Sequence, residues 1–267
     1  MKFVAFRKYT WLGLIAARSN LAYMGEVATR TLFLAVILYI FLQLWRVTYS
    51  ETGATTLGGL TLAQMLWYLA MTEAITLSTP RVAQEVDQDV RTGALAVQLI
   101  RPLDYPLARL WMTLGERLVR FGLNVAVGCV LALLLVGPIA FSSLGLLMFA
   151  LTLPLAFVLD FLGNFLIGLA AFWIEDTSGL ALIYSRVTMI LGGMLIPLEL
   201  FPERMQPILR ALPFAWIVYG PAHMFVLPDL AFLGNLALRQ GIAIGVFAVL
   251  VALVYRVALG RIYGNGG

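Results

Sequence analysis

Residues 144–173 read LGLLMFALTLPLAFVLDFLGNFLIGLAAFW, thirty residues with a single charge, Asp160. At about 1.5 Å per residue, a helix of that length outreaches the ~30 Å hydrocarbon core of a bilayer. Five more apolar runs lie around it, at 27–45, 60–79, 114–136, 180–197 and 236–259. The chain of 267 residues is 61% hydrophobic and 12% charged, which leaves too little polar surface to cover a water-soluble domain. The runs are continuous and do not alternate in polarity, which argues against a transmembrane barrel. The expected fold is an all-α integral membrane protein with six transmembrane helices, and residues 1–267 read as a single transmembrane domain.

Charge then orients the chain, whose formal net charge is +4. In a six-span arrangement Lys2, Arg7, Lys8, Arg18, Arg30, Arg81, Arg91, Arg101, Arg109, Arg117, Arg120, Arg186, Arg256 and Arg261 fall on one side. Only Arg46, Arg204, Arg210 and Arg239 fall on the other. The excess of arginine and lysine in cytoplasmic loops places the first group, and with it both termini, in the cytoplasm. The basic excess needs no nucleic acid as partner, because the anionic headgroups of membrane lipids suffice.

The segments between the runs differ. In residues 1–24 the apolar core at 11–17 is short for a signal peptide, and Arg18 follows it directly. An amphipathic interfacial helix fits better, with Phe3, Phe6, Leu14 and Ala17 on one stripe and Lys2, Arg7, Lys8 and Arg18 available to headgroups. Asp176 or Thr177 is placed to cap the helix after the turn at 175–179. The loop 81–106 holds a helix-like segment. Asp87 and Asp89 sit at its acidic start, Arg101 ends it and Pro102 stops it. Val90, Ala94, Val97 and Ile100 fall on one apolar stripe. This segment is expected to lie along the cytosolic surface, open to another protein. Residues 198–235 are apolar but carry Pro202, Pro207, Pro213, Pro221 and Pro228. They predict an outer re-entrant hairpin of two short helices before the last span, with a seventh and eighth span as the alternative.

The catalytic inventory is sparse. His223 is the single histidine, and the single cysteine, Cys129, lies in an apolar run, so no metal-ligand spacing exists. Lys2 and Lys8 are the only lysines, and neither follows the glycine loop of a phosphate-binding Walker motif. The chain is expected to bind no cofactor and to catalyse nothing itself. Asp160 and Asn164 stand one turn apart on one helix face. They read either as a polar spot lining a pathway or as interhelical hydrogen bonds that fix packing. Glu73 reads as packing or snorkelling, Glu116 and Arg120 are spaced to pair, and His223 is expected to be a hydrogen-bonded interfacial side chain. Gly192 and Gly193 permit either close helix approach or a hinge, and Pro197 ends that run.

The order of these features resembles the membrane subunit of a type-2 ATP-binding-cassette exporter. Two stretches carry the resemblance. One runs from Asp89-Val90-Arg91-Thr92-Gly93-Ala94-Leu95 to Leu99-Ile100-Arg101-Pro102-Leu103. The other starts at Gly192-Gly193-Met194-Leu195-Ile196-Pro197, passes Phe201-Pro202 and reaches Pro213. The first is similar to the bacterial branch with paired permease genes. The resemblance implies a location in the bacterial inner membrane and a second permease chain, identical or related. It also implies a separate ATPase subunit that binds ATP and Mg. The loop helix would be the coupling helix, with Asp87, Asp89, Arg91, Leu95 and Arg101 as the ATPase-coupling residues. An apolar pathway with few charges suits an amphiphilic, lipid-like or drug-like cargo. The competing reading is an ion-gradient secondary transporter driven through Asp160, although no inverted repeat is evident.

Overall fold

The computed structural model describes the backbone of residues 2–22 and 24–264, and the side chains of 7–21 and 32–261. The expectations placed on Lys2, Phe3, Phe6 and Arg30 concern side chains outside the described residues. The described chain is all helical, apart from one isolated bridge between Leu57 and Leu60. The order is α1 (Lys2–Ala22), α2 (Met24–Thr52), α3 (Leu62–Leu77), α4 (Val82–Arg91), α5 (Ala94–Leu99) and α6 (Tyr105–Val136). It continues with α7 (Ser143–Leu169), α8 (Ser178–Leu191), α9 (Gln206–Ala211), α10 (Pro213–Ile217), α11 (Tyr219–Val226) and α12 (Leu230–Gly264).

Among the described residues, four segments are long and apolar enough to cross a membrane: Leu32–Thr52, Tyr105–Val136, Ser143–Phe172 and Leu230–Arg261. They leave Leu32, Phe33, Leu134, Leu151, Leu238 and Val249 exposed. A water-soluble protein would bury that surface, whereas a multi-pass membrane protein offers it to lipid. The centre is α3, which is buried without interruption from Met65 to Ile75 and is enclosed by α2, α6 and α11. Its start is fixed by a reciprocal capping box. The Gln64 N–H donates to Thr61 Oγ1, and the Thr61 N–H donates to Gln64 Oε1 at 2.9 Å.

The connections gather at two ends. At one end Tyr49 donates to the Leu60 carbonyl and Trp67 Nε1 to the Gly137 carbonyl, and Gly58 packs against Glu199. At the other lie α4, α5 and the start of α6. There the Asp104 N–H donates to the Tyr9 hydroxyl, and Arg261 donates to the Phe172 carbonyl. α6 runs further than its apolar run suggests. Asp104 caps it by accepting from the Leu107 N–H at 3.0 Å, and Pro106 sits in its first turn.

Two segments differ from the sequence expectation. The loop helix is two helices, α4 and α5, because Gly93 adopts φ 72° and breaks it. Val90 then packs inward while Val97 and Ile100 are exposed, so the four-residue stripe does not form. The proline-rich segment is a 3-10 turn at Leu198–Leu200 followed by three short helices, α9, α10 and α11, rather than two. Pro207, Pro213 and Pro221 each sit in a first turn, where a missing N–H costs nothing.

Candidate functional site

Four helices converge on a buried ion pair. Asp160 on α7 and Arg117 on α6 meet at 2.7 Å, with side chains 4% and 1% exposed. The sequence counts Arg117 among the cations of the cytoplasmic side, and the structure buries it inside the bundle. A guanidinium inside a bundle is stable only when it is paired and hydrogen-bonded. Arg117 Nη2 also donates to Thr79 Oγ1 at 3.0 Å, just beyond the end of α3, and the guanidinium lies 4.1 Å over the Phe157 ring. On the other side Asp160 accepts from Tyr184 of α8 and from Asn164, both at 3.1 Å, and from Thr79 at 3.3 Å. A cavity of about 50 Å³ opens beside the pair, bordered by Thr76, Ser185 and Thr188. Asp160 and Asn164 therefore stand together, in a node that joins α3, α6, α7 and α8. Sequence reasoning missed Arg117, Thr79 and Tyr184.

A second node holds the loop helices. Asp89, on the last turn of α4, pairs with Arg109 of α6 and accepts from the Tyr105 hydroxyl at 2.7 Å and from Gln98 of α5 at 3.1 Å. Arg109 also reaches Glu85 at 2.9 Å. Burial pushes the Glu85 carboxyl above the ordinary carboxylate range, against the opposing pull of Arg109. Beneath these charges Val82, Val86 and Leu95 pack on Tyr105, Phe161 and Phe165. At Gly168 the two helices lie so close that a Cβ would meet the Ala83 carbonyl at 2.9 Å.

The five residues expected to couple to a partner thus divide. Asp89 and Leu95 are buried. Asp87 is half-buried and pairs with Arg91 at 2.9 Å, and Arg91 also comes within 3.7 Å of Asp176. Arg91 and Arg101 are exposed, together with Val97 and Ile100. Asp176 accepts from the Ser178 hydroxyl and N–H, which hold its carboxyl below the ordinary range.

Gly192 and Gly193 end α8. Gly193 has φ 71°, its N–H donates to the Ile190 carbonyl, and the Met194 N–H donates to the Met189 carbonyl. That pair of bonds is a Schellman cap. The exposed carbonyls it leaves are used: Tyr68 donates to Gly193 O, and Thr72 donates to Met194 O at 2.9 Å. Pro197 is buried at the start of the following turn. The end of α8 is so tied to α3.

Glu116 and Arg120 form the expected pair, and Arg120 adds a 3.0 Å bond to Asn20 of α1. Glu73 does not snorkel: it is 1% exposed, and neither carboxylate oxygen has a hydrogen-bond partner. His223 lies between the tilted rings of Tyr219 and Phe232, each 5.1 Å away, and its Nδ1 lacks the expected hydrogen bond. Among the described residues no three metal-ligating side chains gather.

A family model described as ABC-2 family transporter protein matches residues 33–266. The chain belongs to that family. The match covers α3 to α12 entire, and so both nodes and the glycine cap. No curated protein matches the chain. Permeases of this family are the membrane component of a transporter whose ATPase is a separate chain. For this permease an ATPase partner follows from the family in general.

Proposed function

We propose that this permease is half of the membrane domain of an ATP-driven exporter in the bacterial inner membrane. It pairs with a second permease chain, identical or related, and docks on ATPase subunits that carry ATP and Mg. The six spans are α2, α3, α6, α7, α8 and α12, with both termini cytoplasmic, residues 1–24 at the inner interface and residues 198–235 as the outer re-entrant segment. The observation that carries this reading is the mounting of α4 and α5. Asp89 and Leu95 lock them onto α6 and α7, while Arg91, Val97, Ile100 and Arg101 face outward. A push on that outward surface reaches the spans as a rigid-body displacement. Thr79, three residues before α4, relays it to Arg117 and Asp160. Gly192, Gly193 and Pro197 then set where α8 gives way to the outer segment. The transported molecule is an amphiphilic, lipid-like or drug-like compound.

The ion-gradient reading is the weaker one. Asp160 is already matched by Arg117 and three neutral donors, which supports packing over a coupling carboxylate. The test is co-reconstitution with the ATPase, following nucleotide turnover and transport together. Arg91→Glu with Arg101→Glu is expected to lower transport per ATP at least tenfold while leaving insertion intact. Transport that persists without any ATPase, driven by an ion gradient, overturns the proposal.

A further inference from the structure

One further cavity lies apart from the charged side chains of both nodes. It is a groove of about 520 Å³ between α1, α6 and α7, lined by Gly13, Leu14, Ala17, Leu118, Pro154 and Phe157. That volume lies within the ~300–1,000 Å³ of ordinary ligand sites. Glycines shape it: a Cβ on Gly115 would collide with the Gly13 carbonyl, so α1 and α6 touch backbone to backbone at the groove floor. The wall is apolar and nothing in the described chain fills it. Leu118 is 57% exposed at its edge.

The rim is cationic. Arg7, Leu14 and Arg18 are seven and four residues apart, which sets them on one face of α1. Leu14 lines the groove beside Thr10, Gly13 and Ala17, and Arg7 and Arg18 share the Leu14 edge of α1, so both stand at the rim, roughly 16 Å apart along the helix. Both arginines are exposed, and among the described residues neither has a carboxylate partner. Lys8 lies about 100° further round the helix and faces elsewhere.

We infer that the groove holds one anionic phospholipid, its acyl chain against Ala17, Leu118 and Phe157 and its phosphate between Arg7 and Arg18. A purely apolar ligand would leave the two cations unmatched, and a soluble anion would leave the apolar wall wet. An anionic lipid satisfies both. Each basic residue near a membrane surface adds roughly a fivefold preference for anionic over neutral lipid. The inference requires only a membrane-embedded chain, so its failure would leave the permease reading intact.

Trp111 also lines the groove and reports on it. The chain is placed in vesicles of phosphatidylcholine containing a small fraction of either phosphatidylglycerol or phosphatidylcholine with dibrominated acyl chains. The share of fluorescence quenching that disappears in Trp111→Phe is the groove signal. We expect that signal to be several-fold larger with the brominated phosphatidylglycerol. Arg7→Gln with Arg18→Gln should bring the two lipids level, while Lys8→Gln leaves the preference in place. Ala17→Phe, which plugs the groove, should reduce quenching by both lipids. Equal quenching in the unaltered chain overturns the inference. So does a preference that survives loss of both arginines, or one that Lys8→Gln lowers as much, which would be bulk charge rather than a site.

Discussion

Arg109 and Arg117 both project from α6, roughly two turns apart, yet they meet their partners in opposite surroundings. Arg117 is 1% exposed and faces one carboxylate, whose oxygens also accept from neutral donors. Arg109 is 14% exposed and faces two carboxylates, Asp89 and Glu85, beside polar loops. The first pair has no second carboxylate within reach, so any separation leaves a bare charge in a buried site. The second has a spare carboxylate and a route to solvent. The deep pair is therefore expected to act as a fixed pivot, and the shallow one as a joint that exchanges partners while α4 and α5 stay attached.

The sharpest way to break this contrast is to remove charge from the pivot. Asp160→Asn leaves Arg117 buried and unpaired, at a cost of roughly 3–5 kcal/mol. Thermal unfolding in detergent should show a large fall. Arg117→Met combined with Asp160→Leu removes both charges, and such replacements are often neutral. The double variant should thus be more stable than either single one. If it is also as active in ATP-coupled transport as the parent, the pivot is packing alone. If it is stable but inactive, the pair transmits motion.

The joint should respond less. Asp89→Asn removes one of two carboxylates from Arg109 and weakens a charge-assisted bond worth about 1.5–3 kcal/mol. Glu85 remains to pair with the guanidinium. The expected result is a smaller fall in melting temperature and a local loosening, read as faster protease cleavage at the exposed residues 100–102. A fall as large as that of Asp160→Asn would mean that the two nodes do not differ in kind.

Much of this arrangement was legible in the sequence, for separable reasons. The run at 144–173 has no breaker but Pro154, and it returns as α7 with its 3-10 extension. The apolar run at 114–136 falls short of α6 at its start because Pro106 and Arg109 interrupt the hydropathy before position 114. Counting charges by side set Arg117 among the cytoplasmic cations, although it lies inside the run 114–136. An arginine there demands a partner, and Asp160 is the one carboxylate in the next run. That was the available signal for the pair. Gly93 was visible in the motif, yet periodicity alone carried a helix through it, since apolar spacing holds no information on φ. Tyr184 and Thr79 could not be found this way, because their role depends on which helices become neighbours.

Glu73 offers the clearest control. It is as buried as Arg117 but has no partner at all. If partners are what make buried charge tolerable, then Glu73 lowers stability where the pivot does not. Glu73→Met keeps much of the volume and removes the unsatisfied oxygens, each of which costs about 1–3 kcal/mol when buried. Thermal unfolding should therefore shift upward, opposite in sign to Asp160→Asn. A downward shift would show that the carboxyl finds a partner in the assembled transporter, and the same measurement on the complex with its ATPase and second permease chain would then locate it. With the sign upward in both preparations, burial alone would not distinguish functional charge in this bundle, and the pairing of Arg117 with Asp160 would stand as the property that does.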